Sequence, residues 1–372
     1  MKTETLRSII GHFAVKGTIT SITPFGSGHI NDTFLAETAE EGATDYILQR
    51  VNHAIFPRVD KVMENMERVI DHLKAKYTSM EGYDPSRNTM TIIPTLEGAL
   101  YLFDEETGYW RVLERITQSR SYDQVTDVTQ AYEAGKAFGE FQKLLADLPG
   151  EPLFETLPNF HNVAWRLENF EKAVADNKAG RAASVQAEID FVRSRAEEMK
   201  TILRLGEEGK IPSRITHNDT KINNVLLDEQ DRALCVIDMD TVMPGFVHYD
   251  FGDAIRTSTN TGAEDDKDLR KVSMNINYFE AFTKGFLSQT ADTLNEVEIE
   301  HLAGSAKLIT YIMGVRFLTD YLDGDNYYKI AHKEHNIQRT QAQFKLVESM
   351  EQQYEEMQEI VKKAALCGEA PC

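Results

Sequence analysis

The stretch from residue 214 to residue 253 constrains this chain more than any other part of its sequence. It contains two short apolar runs, 225–227 and 233–237, on either side of the polar turn 228–231. Apolar runs of this length around a short polar turn predict a β-hairpin. A tight hairpin returns the chain beside its start, so residues that flank its two strands are expected to lie close together.

Polar side chains flank the predicted hairpin on both sides. Asp219 and Asn224 precede its first strand, and Asp238 directly follows its second strand. Carboxylate and amide oxygens are the ligands that hard cations such as Mg²⁺ prefer. Phosphoryl transfer also needs a carboxylate beside the attacking hydroxyl. The convergence of these side chains therefore predicts a site for a magnesium nucleotide.

Composition limits the other partners. With 372 residues the chain is expected to form two lobes, and its net charge of −20 argues against nucleic acid or an anionic membrane. No apolar run has the length of a signal peptide or a membrane span, so we expect a cytoplasmic protein. We also expect it to be a monomer. Cys235, Cys367 and Cys372 lack the spacing of a zinc site or a disulfide framework.

The pattern of apolar residues changes from strand to helix near residue 118. Residues 1–117 contain short apolar runs and glycine turns, with one helical pattern after Pro57, which predicts a small β-rich lobe. Residues 118–372 form a larger, mainly helical lobe around the hairpin. Its helices are predicted at 127–145, 164–175, 187–205, 276–287, 296–322 and 335–366. We therefore predict an α+β, bilobal fold with a nucleotide-binding N-terminal lobe and a catalytic C-terminal lobe.

The order His217, Asp219, Asn224, hairpin, Asp238 is similar to the catalytic core of protein kinases and of the aminoglycoside phosphotransferase/choline kinase family. The resemblance implies a protein-kinase-like fold and a reaction that uses ATP and Mg²⁺. It assigns Asp219 to the proton of the acceptor hydroxyl, and Asn224 and Asp238 to the metal. Lys221 occupies a position that faces the transferred phosphate in many protein kinases.

Two further motifs need interpretation. Asp250-Phe251-Gly252 spells the metal-binding motif of protein kinases, but it lies well past the hairpin. In the resembling phosphotransferases this aspartate opens a helix, and we expect it to bind backbone amides and brace the catalytic loop. In the N-terminal lobe, the turn Gly26-Ser27-Gly28 is a candidate for backbone contacts to phosphates, although such a turn is also an ordinary hairpin connection. Gln49 falls where protein kinases have a strand lysine.

Blocks spread along the whole chain resemble the N-acetylhexosamine 1-kinases of the same family, which share the absence of the strand lysine. These blocks are GHFA at 11–14, GHIN at 28–31, YILQ at 46–49, IFP at 55–57, THNDTK at 216–221, DTVMPG at 240–245 and RFLTDYLDGD at 316–325. The resemblance implies ATP-dependent phosphorylation of the anomeric hydroxyl of N-acetylglucosamine or N-acetylgalactosamine. The residues that it assigns to the sugar are His29, Asn31, Asp240, Arg316 and Tyr327.

Alternatives remain open at this point. The acceptor of the phosphate is expected to be an N-acetylhexosamine, another sugar, choline or an aminoglycoside, and an inactive nucleotide-binding protein is a further alternative. Arg316 lies in an otherwise apolar helical pattern, where a guanidinium needs a partner. That partner is either the substrate or Asp320, one helical turn further on. His29 and Tyr327 also have structural interpretations, as a turn cap and as a core residue.

Overall fold

The computed structural model describes residues 1–26, 28, 30–40 and 42–368. The chain divides into two compact units. The first unit consists of residues 1–120, 147–158 and 234–243, and the second consists of 121–146, 159–233 and the chain from 244 onward.

An antiparallel sheet forms the centre of the first unit. Its strands are β1 (Ile19–Pro24), β2 (Asp32–Thr38), β3 (Tyr46–Val51), β4 (Ile92–Ile93), β5 (Leu102–Asp104) and β6 (Gly108–Glu114). The order is β1-β2-β3-β6-β4, and β5 pairs with β6. The helices of this unit are α1 (Thr3–Ile10), α2 (Val59–Thr78) and the short α3 (Pro85–Asn88).

The two longer helices of the first unit lie on opposite faces of the sheet. Leu6 and Ile9 of α1 share a hydrophobic cluster with Trp110 of β6. The next residue, Arg111, reaches the sulfur atom of Met66 on α2. Successive side chains of a strand point to opposite faces, so β6 is covered on one face by α1 and on the other by α2. Arg111 is consequently a cation in a buried layer.

Helices dominate the second unit. They are α4 (Val128–Leu145), α5 (Val163–Asp176), α6 (Gln186–Met199), α7 (Thr201–Glu207), α8 (Val247–Ser258), α9 (Ile276–Thr290), α10 (Glu296–Asp323), α11 (His335–Gln352) and α12 (Tyr354–Gly368). Four short strands lie in the central part of the sequence: β7 (Arg214–Thr216), β8 (Val225–Leu227), β9 (Ala233–Val236) and β10 (Met243–Gly245). β8 pairs with β9, which confirms the predicted hairpin, and β7 pairs with β10.

Glycines set the closest helix contact of the second unit. A Cβ atom on Gly135 of α4 would lie 2.2 Å from the carbonyl oxygen of Phe282, and one on Gly285 of α9 would lie 2.0 Å from that of Tyr132. No side chain fits at such distances, so α4 and α9 approach closely only because these residues are glycines. Helix α10 begins with a capping box made by Asn295 and Glu298 and ends at left-handed Gly324.

The α+β fold class predicted from the sequence is confirmed, with a small antiparallel sheet and a mostly helical remainder. Two long helices were predicted as continuous, and both predictions are wrong because each helix is divided in two. The first divides at Lys200, where the Thr201 hydroxyl binds the Glu198 carbonyl oxygen at 2.6 Å and competes with the helical ladder. The second divides at Gln353, whose side chain binds the Met274 carbonyl oxygen. Helix α1 and the β7–β10 pair were not predicted. None of the described helices combines the length and apolar character needed to cross a bilayer.

Candidate active site

The catalytic loop of the second unit brings three predicted residues together. It follows β7, and the carboxylate of Asp219 binds the Lys221 ammonium at 2.9 Å from Oδ1 and 3.1 Å from Oδ2. The Asn224 side-chain amide donates to the Asp219 carbonyl oxygen at 2.8 Å and to Oδ2 at 3.2 Å. About a fifth of the Asp219 side chain is exposed (20%), so a substrate hydroxyl can reach the carboxylate.

The charges around Asp219 determine its protonation state. Burial favours the neutral acid, but the Lys221 ammonium, with smaller contributions from His217 and Arg256, holds the pKa of Asp219 below its usual value. Asp219 in turn raises the pKa of Lys221. The pair is therefore a carboxylate and an ammonium at neutral pH, and the carboxylate is available as a proton acceptor.

Asp250 fixes the shape of this loop. From the first turn of α8 its carboxylate accepts the backbone N–H groups of His217 at 2.9 Å and Asn218 at 2.7 Å, and it also accepts the Gln142 side-chain amide. Asn218 has a left-handed backbone (φ +64°), a conformation that must be held by its surroundings. The bracing role predicted for Asp250 is confirmed. Burial raises the pKa of Asp250, against the opposing effect of His217 and the bound amides.

A second acidic residue of α8 completes the brace. The Asp253 carboxylate accepts the backbone N–H of Thr220 at 3.0 Å and binds Arg256 at 2.8 Å. Arg256 also binds Glu264 at 3.0 Å. The residue on each side of Asp219 is thus held by a buried carboxylate of the same helix.

The predicted magnesium ligands belong to different units. In the second unit, the amide nitrogen of Asn224 is used by Asp219, so its oxygen is the atom that remains for a cation. In the first unit, Asp238 has a left-handed backbone (φ +61°). Strained backbone of this kind is concentrated at functional sites. Oxygen ligands suit Mg²⁺, which takes few protein ligands and completes its shell with water and phosphate. Across the described residues, no group of three or more His, Cys, Asp or Glu side chains forms an alternative metal site.

Two of the predicted sugar ligands contact each other in the first unit. The Asn31 side-chain amide donates to Oδ2 of Asp240 at 2.7 Å. Asp240 is 2% exposed and also forms an ion pair with the buried guanidinium of Arg111. Arg111 donates in addition to Gln49, its cross-strand neighbour, at 2.9 Å. No pattern in the sequence indicated that Arg111 would pair with Asp240, because an arginine within a strand is usually solvated.

The glycine turn is described only in part. Gly26 has a left-handed backbone (φ +78°), and a Cβ atom on either Gly26 or Gly28 would meet nothing within 4 Å. Both positions are therefore open enough for a bound group to approach the backbone. Ser27 and His29, the other residues predicted from this turn, lie outside the described residues.

The remaining predicted sugar ligands lie on and after α10. The Arg316 guanidinium lies over the rings of Phe160 and Tyr328, at 5.1 and 5.7 Å from their centroids. Asp320 is not its partner, because that carboxylate accepts backbone amides of the loop after α10, including Tyr327 N–H at 2.8 Å, and the Asn336 side chain. Tyr327 is 65% exposed, so the alternative that it is a core residue is wrong.

The sequence interpretation also missed His161. Its Nε2 donates to the carbonyl oxygen of Asn218 at 3.1 Å, directly before Asp219. Burial lowers the pKa of His161 to about 4, so the ring is neutral at physiological pH. A single histidine far from the motif in sequence offers no pattern by which this contact could be found.

Several solved structures have a fold similar to that of this chain. The microcompartment-associated aminopropanol kinase has 14% identity and a TM-score of 0.56, with 95% of this chain and 98% of that chain covered. A choline kinase from Cryptosporidium parvum has 14% identity and a TM-score of 0.56, with 93% of each chain covered. An amicoumacin kinase in complex with AMP-PNP and Ca²⁺ has 11% identity and a TM-score of 0.58, with 92% of each chain covered. Identities this low establish the fold alone.

The small antiparallel sheet and the mostly helical unit define a protein-kinase-like fold. A family model described as the phosphotransferase enzyme family (APH) matches residues 21–273. The match spans more than half of the sequence, and the chain belongs to this family.

Proposed function

We propose that this protein is an ATP-dependent kinase that phosphorylates the anomeric hydroxyl of N-acetylhexosamines and releases a sugar 1-phosphate. The observation that carries the proposal is the Asp219 carboxylate, which is ionised, partly exposed and held between Lys221 and Asn224. Membership of the phosphotransferase family supports the reaction type. The N-acetylhexosamine substrate rests on the resemblance of the sequence blocks described above.

The reaction uses Asp219 to orient the attacking hydroxyl and to accept its proton. A carboxylate with a lowered pKa is a weak base, but the anomeric hydroxyl is more acidic than the other hydroxyls of a sugar. Proton transfer can also follow bond formation, because phosphoryl transfer passes through a loose transition state. Lys221 has its ammonium beside Asp219, where it can stabilise charge on the transferred phosphate.

Asn224 and Asp238 are the residues proposed to hold Mg²⁺, which neutralises charge on the phosphates of ATP when it is bound. Gly26 and Gly28, with Ser27, are proposed to contact those phosphates through backbone amides. In the amicoumacin kinase of the same fold, AMP-PNP and Ca²⁺ are bound together. The joint binding of a nucleotide analogue and a divalent cation in that kinase supports the proposal that this chain uses ATP with Mg²⁺.

The charges of the second unit favour a sugar over an amine as acceptor. Aminopropanol and choline, the acceptors in the names of two neighbours, are cations. Here Arg316 and Arg166 both contact Phe160, and the next residue, His161, binds the carbonyl oxygen of Asn218 in the catalytic loop. A cationic acceptor at this loop would be repelled by the two guanidinium groups. A neutral sugar has no such repulsion, and its hydroxyl and carbonyl oxygens accept hydrogen bonds from guanidinium groups.

The test is turnover of a panel of acceptors with ATP and Mg²⁺. We expect acid-labile sugar 1-phosphate from N-acetylglucosamine or N-acetylgalactosamine and no product from choline. Asp219→Asn should lose about 10²–10⁴-fold in rate, whereas Asp190→Asn, the same change at an exposed position of α6, should keep wild-type activity. Turnover of another alcohol without either N-acetylhexosamine would refute the substrate, and full activity of Asp219→Asn would refute the mechanism.

A further inference from the structure

Two arginines of the second unit interact electrostatically with each other, and neither is neutralised by a carboxylate of the described residues. Arg166 of α5 binds the carbonyl oxygen of Phe160 at 2.8 Å, and Arg316 of α10 lies over the ring of the same phenylalanine. The Arg316 guanidinium also contacts the sulfur atom of Met313, at 3.3 Å, and lies over the ring of Tyr328. Burial, together with the neighbouring Arg316, lowers the pKa of Arg166 to about 10. Arg166 nevertheless remains charged at neutral pH.

The acidic residues around this pair are already engaged. Asp253 and Glu264 both bind Arg256. Asp320, on the same helix as Arg316, is used by the backbone of the following loop. Within the part of the chain that the structure describes, neither Arg166 nor Arg316 forms an ion pair. In a protein with a net charge of −20, an unneutralised pair of partly buried guanidinium groups is unusual and has a free-energy cost.

A third group marks the same place as a binding site. The hydroxyl of Tyr328 is buried and has no hydrogen-bond partner among the described residues. It interacts electrostatically with both Arg316 and Arg166, and the Arg316 guanidinium lies over its ring. Buried hydroxyl groups in proteins are normally hydrogen-bonded, so an orphan beside two unpaired cations indicates a missing acceptor.

We propose that Arg166, Arg316 and the Tyr328 hydroxyl bind a carboxylate or phosphate group carried by the acceptor sugar. The site lies near the catalytic loop, because Phe160 is followed by His161, which binds the carbonyl oxygen of Asn218. Guanidinium groups bind carboxylate and phosphate with paired, charge-assisted hydrogen bonds. The inference rests on the proposed function and extends its substrate class from the N-acetylhexosamines to acidic derivatives of such sugars, which are expected to bind more tightly.

The experiment is a calorimetric titration of the full-length protein with D-glucose, D-glucuronate and D-glucose 6-phosphate at one fixed ionic strength. The three probes share a ring and differ in the group at carbon 6. We expect at least one anionic sugar to bind about 10-fold more tightly than glucose, and Arg166→Gln or Arg316→Gln to remove most of that difference. Arg193→Gln, which removes the same charge from an exposed ion pair of α6, should leave it unchanged.

Each outcome decides the proposal. Preference for glucuronate identifies the group as a carboxylate, and preference for glucose 6-phosphate identifies it as a phosphate. Equal binding of all three sugars overturns the proposal, as does an equal effect of the two variants on glucose and on the anionic sugars. The wild-type comparison stands even where a variant fails to fold. Binding is measured without turnover, so its outcome does not depend on kinase activity. Absence of phosphorylation in the turnover assay would refute the proposed kinase function and leave the binding result unchanged.

Discussion

Replacement of Asp250 by asparagine tests whether this residue braces the catalytic loop or acts in the reaction. The carboxylate accepts three donors: the backbone amides of His217 and Asn218, and the side-chain amide of Gln142. Asparagine offers one acceptor and one donor in the same volume. Whichever way its amide is oriented, one buried backbone N–H faces another donor.

The size of the effect follows from this count. Gln142 can compensate by rotating its amide, because its Oε1 has no partner among the described residues. One backbone N–H then remains without an acceptor, which costs about 1–3 kcal/mol. Burial raises the pKa of Asp250 because it disfavours the charged carboxylate, and a neutral amide does not have this cost. The loss of stability is therefore expected in the lower half of the range of about 1–3 kcal/mol. In a unit of this size the melting temperature should fall by roughly 2–4 °C for each kcal/mol.

The assay compares melting temperature and turnover in Asp250→Asn and Asp219→Asn. We expect Asp250→Asn to melt earlier and to keep more activity well below its melting temperature. Asp219→Asn should melt like the wild type and lose activity. If Asp250→Asn kept the wild-type melting temperature and lost as much activity as Asp219→Asn, Asp250 would act directly in the reaction and the bracing argument would be refuted.

Three further changes test other parts of the site. Lys221→Met should shift the acidic limb of the pH profile of kcat/KM to higher pH, because the main cause of the lowered pKa of Asp219 is removed and burial then raises it. Asp238→Asn, which tolerates the left-handed backbone, should raise the Mg²⁺ concentration needed for half-maximal activity about 10-fold or more. Arg111→Met leaves the Asp240 carboxylate buried and unpaired, so it should lower the free energy of unfolding by about 3–5 kcal/mol in urea titrations, and adding Asp240→Asn should recover part of that loss.

Each of these expectations has a contrary result. An unchanged acidic limb in Lys221→Met would mean that another group controls it. An unchanged Mg²⁺ requirement in Asp238→Asn would remove this residue from the metal site. Wild-type stability in Arg111→Met would mean that the Asp240 carboxylate does not depend on Arg111 as its partner.

Local patterns in the sequence were sufficient for the catalytic loop and its hairpin. Asp219, Lys221 and Asn224 lie within six consecutive positions, so their contacts depend on short-range backbone geometry. The strands that follow were predictable because apolar runs around a polar turn have few alternative structures. The bracing role of Asp250 was predicted from the resemblance to phosphotransferases in which this aspartate opens a helix, and Asp250 lies in the first turn of α8.

Sequence distance left two alternatives open where side chains had a choice of partners. Asp320 is one helical turn from Arg316, so an ion pair between them was one of the two alternatives for Arg316. The loop after α10 turns back at left-handed Gly324 and Asp325, and its backbone amides take the Asp320 carboxylate instead. A buried backbone amide without an acceptor has a free-energy cost. The Asp320 carboxylate therefore binds the amides of this loop and not the Arg316 guanidinium.

The sequence by itself determined that this chain belongs to a phosphotransferase family and that Asp219, Lys221 and Asn224 meet, because these three residues lie within six consecutive positions. Only the tertiary structure decided how these groups are supported and which cations surround them. Asp240 meets Arg111 through the pairing of distant segments in the first unit, and Arg166 meets Arg316 through the packing of α5 against α10. The physical reason is that a buried charged side chain needs a partner of opposite charge. The packing of elements that are distant in sequence determines which group is close enough to be that partner.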